Sequence, residues 1–274
     1  MNYFGLPTRF ASIRLHSCSF VFIIMKKDTV IHDPLSALKQ FTAARIAIGR
    51  VGVSVPLKQS LEFKLAHAHA RDAVYSALDC DGLSNSLSDF NLPILHLHSQ
   101  AATRHKYLKR PDHGRQLHEE SEQLLKDYDT GSDVVIIIAD GLSATAVNEN
   151  AAALLKILLP ALFSAKWRIA PLCLVEQGRV AIGDDIGQGL RAKFSIVLIG
   201  ERPGLSAADS MGAYLTYNPR PGLTDESRNC ISNIRPQGLT HKPAADKIFY
   251  LINEAFKRKL SGVKLKDNAG TLSH

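Results

Sequence analysis

Residues Val134–Ala139 (VVIIIA) form an unbroken apolar run, mostly β-branched, closed at each end by a carboxylate, Asp133 and Asp140. A short run without polar alternation suits a strand buried on both faces, the usual state in parallel sheets covered by helices. Two more apolar runs follow at residues 168–175 and 194–199. Helical stretches at 148–164 and 184–193 separate the three. Strand, helix, strand, helix, strand predicts an α/β fold with a parallel sheet and right-handed connections. Ligands of such sheets sit beyond the carboxyl ends of the strands. Residues 140–143 (DGLS), 176–179 (EQGR) and 200–204 (GERPG) are therefore site candidates by topology alone.

The front of the chain has a different pattern. Leu35, Leu38, Phe41, Ala44, Arg45 and Ile48 recur near helical spacing, and Gly49 and Gly52 follow, so residues 35–48 are expected to form a helix. Residues 60–78 and 117–127 read as further helices, and 91–98 as a short strand. His96 and His98 would share a face of that strand, but two histidines without a placed third ligand do not make a metal site. His67 and His69, two apart on a helix, point in different directions. The expected organisation is a helical N-terminal region at 25–128 and an α/β domain at 129–274.

Residues 1–24 stand apart. They carry Arg9 and Arg14, no acidic residue, and an apolar run only from Phe20 to Ile24. A secretory signal needs an apolar core of about 7–15 residues and a cleavage site. The segment is read as a misassigned start or a disordered extension, with Met25 the expected initiator. The cysteines, Cys18, Cys80, Cys173 and Cys230, form no CxxC pair, a scatter that suits free thiols in a reducing cytoplasm. The net charge of +7 is spread along the chain, with its densest group at Lys257, Arg258, Lys259, Lys264 and Lys266. A nucleic-acid site would gather basic residues with aromatics on one element, so no nucleic-acid partner is expected. No membrane span is expected either, since one requires about 20 apolar residues in a row.

Several enzyme classes lack their motifs. Ser143 after a strand invites a hydrolase reading, but the nucleophile elbow needs glycine two residues after the serine, where Thr145 stands. The simpler role is a cap on the following helix, by Ser143 or Thr145. Gly183, Gly187 and Gly189 do not match the dinucleotide fingerprint, and Asp184 and Asp185 would repel a pyrophosphate. No glycine-lysine-serine or glycine-lysine-threonine triplet is present to cradle a phosphate. Glu201 and Arg202 stand side by side at a strand end before the Pro203-Gly204 turn. A solvated charged loop and a ligand site are both open on that observation.

Four strings narrow the choice: ADGLSATAVNEN at 139–150, GQGLRAKFSIVLIGERPGL at 187–205, SMGAYLTYNPRPG at 210–222 and RNCISNIRPQGL at 228–239. Their order and spacing resemble the ethanolamine ammonia-lyase small subunit family. TAARIAIGRVG at 42–52 and YLKRPDHGRQL at 107–117 extend the resemblance into the front half.

The resemblance implies a Rossmann-like, doubly wound and mostly parallel sheet, preceded by a helical region, that covers a corrin ring. It implies adenosylcobalamin as cofactor and conversion of ethanolamine to acetaldehyde and ammonia by a radical mechanism. The partner it implies is a large catalytic subunit whose barrel binds ethanolamine. Positions matching the family's cobalamin contacts are Val180, Glu201 and Cys230; no residue here is expected to be catalytic or to bind metal. The Asp-x-His-x-x-Gly motif that replaces the cofactor's own base is absent, since Asp112-His113-Gly114 has the wrong spacing. A base-on cofactor is expected. Some family members carry a longer low-complexity extension tied to packaging in a bacterial microcompartment. This sequence shows none, so cytoplasmic location is expected and packaging is left open. A stand-alone small-molecule binding module is the alternative reading.

Overall fold

The computed structural model describes residues 11–15, 18–22, 30–128 and 131–266. The chain forms two compact units, Met1–Glu62 and Phe63–His274.

In the first unit, strands β1 (Ala11–Leu15) and β2 (Cys18–Phe22) pair antiparallel. Met25, the expected start, lies outside the described residues. The helix expected at 35–48 is corrected to a single 3₁₀ segment, Pro34–Phe41, capped by the Asp33 carboxylate, which accepts from the Leu35 N–H at 2.8 Å. Thr42 is already extended, and Ala47 and Gly49 adopt positive φ, which turns the chain back so that Ile31 pairs with Arg50. Leu35, Leu38 and Phe41 are all exposed, so the helical stripe has no core to bury it. Helix α1 (Leu57–Tyr75) begins in this unit and continues into the second from Phe63.

The second unit is built on a six-stranded sheet of order β3-β5-β4-β6-β7-β8. In chain order it contains α2 (Cys80–Leu87), β3 (Ile94–His98), α3 (Arg104–Lys109), α4 (Glu119–Lys126), β4 (Val134–Ala139), α5 (Ala144–Ser164), β5 (Leu172–Glu176), α6 (Ile182–Gly189), β6 (Phe194–Gly200), β7 (Met211–Tyr217), β8 (Arg228–Ile234) and α7 (His241–Arg258). Strands β3, β5, β4 and β6 pair parallel, whereas β7 pairs antiparallel with both β6 and β8. The fold is α/β as expected, and the sheet is mixed, with three parallel and two antiparallel pairings among its six strands. The strand expected at 91–98 joins the sheet as β3.

β4 is buried along its whole length and alternates between two cores. Val134, Ile136 and Ile138 pack with residues of α5 and α7, and Val135, Ile137 and Ala139 with Leu125 of α4 and Ile182 and Ile186 of α6. Both faces are covered, as the run without polar alternation predicts. Helix α5 is long and apolar enough to cross a membrane by composition. Its Val147, Leu154, Leu155, Leu158 and Leu162 are fully buried in the first core, so here it is a core helix.

β4 lies between β5 and β6, so the chain leaves it toward one side through α5 and reaches the other through α6. That reversal opens a crevice at the carboxyl ends of β4, β5 and β6.

Candidate functional site

Two glycines let the strand ends approach closely. Gly141 has φ +56°, and a Cβ there would lie 2.3 Å from the Gly200 carbonyl oxygen. A Cβ on Gly200 would lie 1.9 Å from the Ser143 carbonyl oxygen. The Leu142 N–H donates to the Gly200 carbonyl at 2.9 Å. Ser143 caps α5, its hydroxyl accepting from the Ala146 N–H at 3.3 Å and donating to the Ala208 carbonyl at 2.8 Å.

Asp140 ties β4 to the turn after β5. Its buried carboxylate accepts from the N–H groups of Gln177 (3.0 Å) and Gly178 (3.1 Å). The Arg104 guanidinium approaches to 3.4 Å and also donates to the Gly141 carbonyl at 2.8 Å. Burial nevertheless pushes the Asp140 carboxyl up to about 6, against the pull of Arg104 and the backbone donors. Tyr107 supports the same turn from below. It is fully buried, and its hydroxyl donates to the Gly178 carbonyl at 3.2 Å. The guanidinium carbons of Arg104 and Arg179 sit 4.7 and 4.5 Å from its ring centroid.

This frame presents Arg179 and the half-buried Val180 at one side of the crevice. On the other side, β6 ends in Gly200 and delivers Glu201 and Arg202. Glu201 is not paired with its neighbour. Its carboxylate accepts from the Ser210 hydroxyl and from the Asn233 N–H (3.3 Å) through the same oxygen, Oε2. Oε1 has no hydrogen-bond partner among the described residues. A pocket of about 290 Å³ opens here, lined by Tyr107, Arg179, Val180, Glu201, Arg202 and Tyr214, with Gly141 and Gly200 among its backbone walls.

Cys230 does not line this pocket but stands next to it. It is the cross-strand partner of Tyr214. Loss of solvation pushes the Cys230 thiol up, and the Glu201 charge adds to that rise, so the sulfur is a poor nucleophile. The structure therefore gathers Val180 and Glu201 on one pocket and leaves Cys230 exposed on the edge strand, in register with Tyr214 of the pocket wall. Arg179 lies in the candidate segment 176–179, whereas Tyr107 and Tyr214 were missed from the sequence. Arg179 directly precedes Val180, and Tyr107 opens one of the family-like strings, but neither position signals that the two stack. His96 and His98 share a face of β3, and the His98 ring bonds the Ser99 carbonyl.

Residues 32–266 match the sequence profile of the ethanolamine ammonia-lyase light chain (EutC). The chain belongs to that family. Its relatives include the ethanolamine ammonia-lyase small subunit of Pseudomonas fluorescens SBW25, 50% identical over 241 residues that cover 86% of this chain and 87% of the relative. The small subunit of Pseudomonas aeruginosa LESB58 is 50% identical over 246 residues, 88% of this chain and 90% of the relative. That of Xanthomonas campestris pv. campestris is 51% identical over 241 residues, 86% and 89% of the two chains. The family is thus that of the small component of a carbon–nitrogen lyase.

Proposed function

We propose that this chain is the small subunit of an adenosylcobalamin-dependent ethanolamine ammonia-lyase, which converts ethanolamine to acetaldehyde and ammonia together with a large catalytic subunit. The observation that carries this reading is the meeting of Val180 and Glu201 on one open pocket at the strand ends, with Cys230 in register with Tyr214 of the pocket wall. When bound, the cofactor supplies a 5′-deoxyadenosyl radical by homolysis of its cobalt–carbon bond.

The donor set fits part of such a group. Val180 offers an apolar face and backbone groups. The unused Oε1 of Glu201 accepts hydrogen bonds from amide or hydroxyl donors at the cofactor's edge. Tyr214 closes the wall, with Cys230 opposite it on the neighbouring strand. A pocket of about 290 Å³ is too small to enclose a corrinoid, because even drug-sized ligands fill roughly 300–1,000 Å³. This chain therefore supplies one wall, and the large subunit the rest. Exposed Leu57, Leu61 and Leu65 stand at four-residue spacing along α1 and give apolar surface for such a partner. No residue of this chain is assigned a catalytic role. The cytoplasm is the proposed location, a reducing compartment that suits free Cys80, Cys173 and Cys230.

Reconstitution tests the reading. The chain alone should release no ammonia from ethanolamine, and the complex with the large subunit should release it only when adenosylcobalamin is added. Turnover by the chain alone, or by the complex without cofactor, would overturn it.

A further inference from the structure

We infer that Arg179 and Arg202 form an anion subsite in the strand-end pocket and that it takes the phosphodiester of the cofactor's nucleotide loop. This rests on the cobalamin reading above. The inference comes from an imbalance of charge. Three guanidinium groups and two carboxylates surround the pocket, and their commitments differ.

Arg104 is spent. It donates to Asp140, to the Gly141 carbonyl, and through Nε to the Val74 carbonyl at 2.6 Å. Asp140 is spent on Arg104 and two backbone N–H groups, and Glu201 is held by Ser210 and Asn233. Arg179 and Arg202 remain. Among the described residues neither meets a carboxylate. Arg179 makes one long bond, Nη2 to the Tyr107 carbonyl at 3.4 Å, and its buried Nε has no partner. Arg202 is exposed.

With the Glu201 carboxylate counted against the two guanidinium groups, the lining keeps an excess of one positive charge, which a singly charged phosphodiester compensates while matching the planar donor fork of arginine. Stacking on the buried Tyr107 ring fixes Arg179 in advance, which lowers the entropy lost when an anion is bound. Cobalamin carries its negative charge at the nucleotide-loop phosphate, while its corrin periphery is made of neutral amides. A free phosphate would satisfy the same chemistry, so the test must separate the two sources.

The complex of the full chain with the large subunit is titrated with cyanocobalamin and with cobinamide, which lacks the nucleotide loop. Binding is followed by corrinoid absorbance. Arg179→Gln and Arg202→Gln should each weaken cyanocobalamin binding by roughly 10- to 100-fold, the range of a lost charged hydrogen bond. Cobinamide binding should stay within about twofold of wild type. Inorganic phosphate should compete with cyanocobalamin in the wild type and not in the variants. Equal losses for both corrinoids would overturn the inference, since the arginines would then shape the pocket rather than read the phosphate. So would unchanged cyanocobalamin affinity alongside lost phosphate binding, which would assign the subsite to a free anion. Arg202→Gln, at an exposed side chain, decides the matter even where Arg179→Gln perturbs folding. A wild-type complex that binds neither corrinoid would instead refute the cobalamin reading itself.

Discussion

Arg228 on β8 and Asp184 on α6 form a doubly hydrogen-bonded ion pair, with N–O distances of 2.8 and 2.7 Å and side chains 2% and 3% exposed. Thr216 on β7 accepts a further bond from Arg228 at 3.2 Å. The pair anchors the antiparallel edge of the sheet to the helix that begins just after Val180. Breaking a buried pair leaves one charge without compensation, at about 3–5 kcal/mol. Arg228→Met should therefore lower the unfolding free energy by that order in urea titrations. Arg228→Met with Asp184→Leu should recover most of the loss, because two apolar residues leave no orphan charge. A single variant as stable as wild type would remove the pair from the account of the fold.

The glycines at the strand ends make a second, position-specific prediction. A Cβ at Gly200 would sit 1.9 Å from a backbone oxygen, so either the turn after β4 or the end of β6 must move. Gly200→Ala should cost at least about 3 kcal/mol, the upper part of the usual overpacking range. Gly204, in the same family-like string, has its nearest neighbour at 3.8 Å. Gly204→Ala should stay within about 0.5 kcal/mol, as unconstrained surface changes do. Thermal melts of the two variants check this, and equal losses would contradict the close approach of β4 and β6.

Asp140 predicts a pH dependence. Its folded-state value, about 6, lies above its ordinary value of 3.8. The folded chain thus holds this proton more tightly than the unfolded chain, so the group's contribution is most favourable below 3.8, is lost as pH rises through about 6, and is flat above that. The span corresponds to a cost on the order of 3 kcal/mol. Asp140→Asn removes the titration. The stability difference between wild type and Asp140→Asn should fall by that order from pH 4 to pH 7. An Asn amide facing the Gln177 and Gly178 N–H groups adds a constant offset. Parallel stability curves across this window would show that Asp140 stays ionised throughout.

The sequence disclosed the parallel half of the sheet because its strands are buried on both faces. Val134–Ala139 and Phe194–Gly200 are fully buried and read as apolar runs. β8 (RNCISNI) was not legible, since it is the sheet's edge strand and Asn229, Cys230, Ser232 and Asn233 are not buried. β7 opens with Met211-Gly212 and pairs backward, a direction that its own residues do not encode. At residues 35–48 a helical period was present, but positive φ at Ala47 and Gly49 and the lack of an apolar neighbour prevailed. The site was legible in part for the same kind of reason. Strand ends can be located from the runs, so 140–143, 176–179 and 200–204 all fall at the crevice. Side-chain partners cannot be located that way. Glu201 and Arg202 are adjacent in sequence, yet the carboxylate makes no bond to that guanidinium. Ser210 and Asn233, distant in sequence, hold Glu201 instead.

That arrangement sets the expectation for Glu201. With Oε2 fixed by Ser210 and Asn233, the carboxylate is pre-oriented, and Oε1 is the free acceptor on the pocket. Glu201→Ala removes the acceptor and leaves donors of the bound cofactor unpaired. An unsatisfied buried donor costs on the order of 1–3 kcal/mol, or roughly 5- to 150-fold in affinity. The half-saturating concentration of adenosylcobalamin for the complex with the large subunit should rise within that range. Turnover at saturating cofactor should change less, because the proposed function puts ethanolamine on the partner's side of the corrin. Glu201→Gln keeps one acceptor oxygen, but its amide must face either the Asn233 N–H or the pocket, so an intermediate loss is expected. Ser210→Ala separates orientation from contact. It keeps the carboxylate and removes one of its two anchors, so it should weaken cofactor binding less than Glu201→Ala does. If Glu201 serves only to brace the loop after β6, Glu201→Ala and Ser210→Ala should lower stability alike and leave the half-saturating concentration unchanged. Cofactor titration of the three variants beside wild type decides between these outcomes.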